Sequence, residues 1–152
     1  MIHTPEQKDR MIYIIGSLKN KNVTVIANKL RESLPSAEIF NSWFYCSEDA
    51  DDCLRDCCKE RGFNYKQTIN DWGARHVFEF DQFHLNRSTD VVLVMPGGKS
   101  AHLELGYAMG IGKRGYVLFD SVPDRVDVMY NFATDVFFDF NELVTELKKY
   151  DN

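Results

Sequence analysis

A chain of 152 residues, 44% of them hydrophobic, has the length and apolar content of one soluble domain with a real core. Its formal net charge of -5 argues against a nucleic-acid polymer as partner, because contacts along phosphates need a Lys/Arg-rich face that this composition does not supply. Residues 1–10 are polar and unlike a secretion signal, and no apolar run approaches the ~20 residues that span a bilayer, so a cytoplasmic protein without a membrane partner is expected.

Met11-Ile12-Tyr13-Ile14-Ile15 is a short, almost wholly apolar run ending in Gly16-Ser17, the pattern of a strand buried on both faces of a parallel sheet. Val23, Ile26, Ala27, Leu30 and Leu34 then recur at helical spacing until Pro35 stops the pattern. Residues 37–44, with Ile39, Phe40, Trp43 and Phe44, predict a second strand, and the acidic residues 48–61 a helix closed by Gly62. A long helix is predicted over residues 65–88, with Trp72, His76, Phe80 and Phe83 at spacings of three and four and Gly73 as its weak point. An aromatic stripe at that spacing belongs to a core more often than to a ligand.

Asp90-Val91-Val92-Leu93-Val94-Met95 is the clearest buried strand, running into the turn Pro96-Gly97-Gly98 and a helix over residues 100–112. Strands over residues 115–119 and 135–140 follow, and Asn141 is placed to cap a last helix through Leu147. This alternation predicts a single α/β domain over residues 1–152: a mostly parallel five-stranded sheet with helices on both faces, Rossmann-like or flavodoxin-like.

Cys46, Cys53, Cys57 and Cys58 share one short acidic stretch, which suits reduced thiols better than a disulfide framework. Cys53 and Cys57 would share a helical face, with Cys46 and His76 as distant helpers, but no second pair has zinc-type spacing and no metal is expected.

Ligands of open parallel sheets bind outside the carboxyl ends of strands, which singles out Gly16-Ser17-Leu18-Lys19-Asn20 and Pro96-Gly97-Gly98-Lys99-Ser100. Each combines glycine, a hydroxyl and a lysine, and the second opens a helix whose free N–H groups favour an anion. Neither is a P-loop or a dinucleotide fingerprint, and tight turns with solvated lysines would read the same way. Glu104 lies one helical turn after Ser100, while Leu103, Leu105 and Ala108 should face the core or sheet. Position alone leaves Glu104 open between a working carboxylate, with Tyr13 and Gly16 converging on it, and an acid that stabilises the helix dipole. His102, beside the loop, reads as a partly exposed structural histidine or a phosphate contact.

The run from Asp90-Val91-Val92-Leu93-Val94-Met95 through Gly98-Lys99-Ser100 to Glu104-Leu105-Gly106-Tyr107-Ala108 resembles the nucleoside 2-deoxyribosyltransferase superfamily, which includes 2'-deoxynucleoside 5'-monophosphate N-glycosidases. Ile12-Tyr13-Ile14-Ile15-Gly16-Ser17-Leu18-Lys19 is similar to the opening strand and loop of its monophosphate hydrolases. The resemblance implies that Glu104 is the nucleophile attacking the anomeric carbon while the base leaves, that an acid on the preceding helix contacts sugar or base, and that the protein is a homo-oligomer needing no cofactor. Asp81 is the nearest such acid, although the superfamily pattern places it one residue later, at Gln82; Glu79 is its understudy.

Classical transferases of that superfamily carry another acid about six residues before the nucleophile, where this chain has Gly98. That departure turns the expectation from free nucleosides toward a nucleotide, its 5'-phosphate held by Ser17, Lys19, Gly98, Lys99 and Ser100, with Tyr13 and Gly16 lining the sugar. The expected activity is cleavage or transfer at the N-glycosidic bond of a nucleoside 5'-monophosphate or deoxynucleoside, through a glycosyl-enzyme on Glu104. A nucleotide-binding or sensing module without turnover is the alternative.

Overall fold

All five strands of the computed structural model, which describes residues 8–45 and 48–151, run parallel to their neighbours. In chain order the elements are β1 (Met11–Ile15), α1 (Asn22–Ser33), β2 (Glu38–Phe40), α2 (Ala50–Glu60), α3 (Tyr65–Ile69), α4 (Trp72–Arg87), β3 (Asp90–Val94), α5 (Lys99–Gly110), β4 (Arg114–Leu118), β5 (Asp135–Phe137) and α6 (Phe140–Lys148). Short 3-10 turns occupy Ser42–Tyr45 and Val128–Phe132. The strand order β2-β1-β3-β4-β5 is the flavodoxin-like one.

The two-residue alternation of a strand divides the core in two. Ile12 and Ile14 of β1, Val92 and Val94 of β3, and Tyr116 and Leu118 of β4 pack with Val23, Ile26, Ala27 and Leu30 of α1 and Leu143, Val144 and Leu147 of α6. Met11, Tyr13, Ile15, Val91, Leu93 and Val117 pack on the other face with Leu85 of α4 and Ala101, Leu105 and Ala108 of α5. Both faces are covered, which is why β1 and β3 have no polar side to show, as their sequences anticipate.

Four features differ from expectation, three of them element boundaries set by a local contact. The second strand stops at Phe40, and the chain coils so that the Trp43 indole donates to the Ile14 carbonyl at 2.6 Å. The long aromatic helix is two helices, because Asp71 caps α4 by accepting from the Gly73 amide at 3.1 Å while Asn64 and Gln67 close a capping box on α3. The last strand ends at Phe137, and the cap of α6 is Asp139 rather than Asn141: its Oδ1 accepts from the amides of Asn141 and Glu142 at 2.8 and 3.1 Å. The fourth correction concerns burial. Trp72 is 90% exposed, Leu103 75% and Phe83 63%, so they face outward rather than the core, although Phe80 still packs against Phe40.

The amino end of the sheet is held by charge. Asp90, fully buried, accepts from Arg114 at 2.7 Å, from Arg10 at 3.1 Å and from the Thr89 hydroxyl at 2.7 Å. Burial pushes its carboxyl up, but the bonds from Arg114, Arg10 and Thr89 outweigh that and hold it below the usual carboxylate range. Every oxygen of this acid has partners, the signature of a structural pair.

Candidate active site

The other end and the α4–α5 face are built differently. These two helices pack against each other and both lie over β1. Tyr13, the middle residue of β1, points at that face with no exposed surface, its ring 5.3 Å from that of Phe40. In α5, Ala101, Leu105 and Ala108 turn to the sheet and Leu103 to solvent, which leaves Glu104 on the shoulder, partly buried, near Asp81 of α4. Asp81 arrives from α4, partly buried.

Three ionisable groups therefore meet in a poorly solvated space. Burial, then the nearby Asp81 carboxylate, pushes the Glu104 carboxyl up to about 8, with Tyr13 pulling the other way. Burial pushes Asp81 up to about 6, again opposed by Tyr13. Burial first, and then both carboxylates, push the Tyr13 phenol far above its ordinary range. The Tyr13 hydroxyl is near enough to steady both carboxylates, yet neither it nor Asp81 Oδ1 has a partner at hydrogen-bond geometry, although both are shut off from solvent. Unpaired buried polar atoms cost about 1–3 kcal/mol each, and a fold that keeps them together beside two raised carboxyls has the character of a site rather than of a core.

The glycine loops lie at the carboxyl ends of β1 and β3. A Cβ at Gly16 would stand 2.5 Å from Val23 Cγ2, so any side chain there has to displace Val23 where β1 turns into α1. The Ser17 hydroxyl accepts from the Lys19 amide at 3.2 Å, which curls the loop, and the Lys19 side chain is exposed. Gly98 is the N-cap of α5, in extended conformation, with Lys99 and Ser100 exposed beside it. The sequence reading missed Asn20. Its side-chain amide donates to the Val94 carbonyl at 3.3 Å and the Pro96 carbonyl at 3.2 Å, tying the two loops into one rim. Asparagine after a strand is an ordinary turn signal, and nothing local in the sequence points to partners so far along the chain.

The structure thus brings Glu104, Asp81 and Tyr13 together, and sets Gly16, Ser17 and Lys19 on one half of the rim and Gly98, Lys99 and Ser100 on the other. Among the described cysteines, Cys53 and Cys57 are exposed and Cys58 is buried; Cys46 lies outside the described residues. Among the described residues no group of three or more His, Cys, Asp or Glu is placed to hold a metal ion. A groove at the amino end, lined by Lys8, Asp9, Met11 and Arg87, is a weaker candidate, because its cations are engaged: Lys8 with the Pro35 and Ala37 carbonyls, Arg87 with Glu38.

Fold and site together define a parallel α/β protein with two partly buried carboxyls, Glu104 and Asp81, near a buried tyrosine. No family model and no curated protein matches the chain. No helix among the described residues is long and apolar enough to cross a membrane.

Proposed function

We propose that this protein cleaves, or transfers at, the N-glycosidic bond of a nucleoside 5'-monophosphate or deoxynucleoside, with Glu104 as nucleophile. The observation that carries the reading is the meeting of Glu104, Asp81 and Tyr13 between α4, α5 and β1, one helical turn below a glycine-rich rim.

The chemistry follows from that arrangement. Glu104, once ionised, forms a bond from its carboxylate oxygen to the anomeric carbon as the carbon–nitrogen bond breaks, and the departing base keeps the bonding electrons and takes a proton. Water or a second base then displaces the glutamate, giving hydrolysis or transfer. Asp81 positions the sugar or base, and its raised pKa of about 6 lets it hold or accept a proton near neutrality. Tyr13 steadies the charged form of Glu104 against burial. Ser17, Lys19, Gly98, Lys99 and Ser100 take the 5'-phosphate, and the chemistry needs no cofactor.

A homo-oligomer goes with this reading. The outward apolar side chains of α4 and α5, Val77, Phe78, Phe83 and Leu103, support it, since exposed patches of this kind mark interaction surfaces; light scattering on the purified protein tests it. A cytoplasmic setting fits the exposed free thiols of Cys53 and Cys57. Incubation with a panel of nucleotides and deoxynucleosides, following free base by chromatography, tests the activity. Release that depends on Glu104 supports the reading, and release that survives Glu104→Ala sinks the mechanism.

A further inference from the structure

Gly98 is the N-cap of α5 but has no side chain with which to cap it, and the first turn carries no acidic residue. The start of the nucleophile's helix is oriented from elsewhere. His102 Nδ1 lies 2.8 Å from the Gly98 carbonyl and its Nε2 2.9 Å from the Tyr130 hydroxyl. A carbonyl only accepts, so Nδ1 carries the hydrogen. In the neutral ring Nε2 is then the acceptor and the Tyr130 hydroxyl donates to it.

Tyr130 is itself anchored. Its ring stands edge-on to Phe119 at 5.1 Å, and its 3-10 turn, Val128–Phe132, is capped by Asp127, whose side chain accepts from the Met129 amide at 2.9 Å. Gly98, His102 and Tyr130 thus form one continuous line from the first turn of α5 to the segment between β4 and β5. Both imidazole nitrogens are engaged in that line, which leaves His102 unsuited to proton transfer or to gripping a phosphate.

We infer that His102 and Tyr130 are positioning residues for Glu104, two positions further along α5: they fix the first turn of the helix and so the approach of the carboxylate to the sugar. The inference rests on the proposed function. A displaced nucleophile loses rate while binding by the rim is retained, since small misplacements of reacting groups are costly.

The test is the steady-state kinetics of Tyr130→Phe, which keeps the ring against Phe119 and removes only the hydroxyl, beside His102→Ala and His102→Asn. The asparagine can still donate to the Gly98 carbonyl. We expect Tyr130→Phe to lower kcat about five- to twentyfold with KM within about twofold, His102→Ala to lower it further, and His102→Asn to recover part of the loss. Equal kcat in wild type and Tyr130→Phe, or a change in KM alone, overturns the proposal. Failure of the underlying function is separately visible, because wild type then releases no base from any substrate. In that event hydrogen exchange at the amides of residues 102–104 decides: faster exchange in Tyr130→Phe upholds the brace, and unchanged exchange overturns it.

Discussion

Burial, and after it the charge of Asp81 across the junction of α4 and α5, pushes the Glu104 carboxyl upward, so Glu104 and Asp81 titrate as a pair. With Asp81 at about 6 and Glu104 at about 8, the pair holds roughly one proton near neutrality. A nucleophile must be ionised, so kcat/KM should rise with pH along a limb centred near 8. Asp81→Asn removes the repelling charge and should move that limb to lower pH, whereas Tyr13→Phe removes a group that favours the carboxylate and should move it higher. Opposite shifts in pH–rate profiles would contradict the assignment.

Stability carries the same signature with the sign of a raised acid. The folded form of Glu104 holds its proton up to about 8, whereas the unfolded form releases it near 4.3. Its contribution is therefore fully present below about pH 4 and lost as pH rises through 8. Glu104→Gln is insensitive to that loss, and its Tm should exceed wild type by of order 5 °C at pH 9, with a narrower gap at pH 5. Calorimetry at the two pH values checks it, and a gap that is constant or reversed counts against a buried carboxyl.

Asp90 behaves in the opposite sense, because Arg114, Arg10 and Thr89 hold its carboxyl below the usual range. Its stabilisation is present above about pH 4 and lost as pH falls further. Asp90→Asn leaves two guanidinium groups facing a neutral amide and should cost about 3–5 kcal/mol in urea unfolding at pH 7. A cost below about 1 kcal/mol would show the cluster to be dispensable.

Two glycines of the rim should separate in stability. At Gly16 an added methyl meets Val23 Cγ2 at 2.5 Å, so Gly16→Ala should cost about 1–3 kcal/mol, and the same substitution should cost less when made in a Val23→Ala background. At Gly98 nothing lies within 4 Å of the added carbon, so Gly98→Ala meets no clash and should cost only the poorer N-cap, about 0.5–1 kcal/mol. Urea unfolding of these variants measures both.

Much of this architecture is legible in the sequence, for physical reasons. β1 and β3 are short apolar runs bounded by turn residues, and a strand covered on both faces leaves no other pattern. The two loops are legible because the carboxyl ends of parallel strands are where such sheets bind ligands, whereas position alone left Glu104 open between a working carboxylate and a helix-dipole acid. Leu103 and Phe83 were not, because periodicity reports which residues share a helix face and says nothing of what covers that face. The break before α4 rests on one capping side chain, Asp71, inside an otherwise continuous helical pattern. Asn20 and Tyr130 act through partners distant in sequence, Val94, Pro96 and His102, which only the folded chain brings within reach.

In the proposed mechanism Glu104 bonds covalently to the sugar during turnover. Rapid acid quenching of the protein during turnover of a nucleoside 5'-monophosphate, followed by peptide mass mapping, tests it most directly. The α5 peptide containing Glu104 should gain the mass of one pentosyl phosphate, and the adduct should be absent from Glu104→Gln. Base release at full rate with no adduct on that peptide, and undiminished in Glu104→Gln, would contradict it.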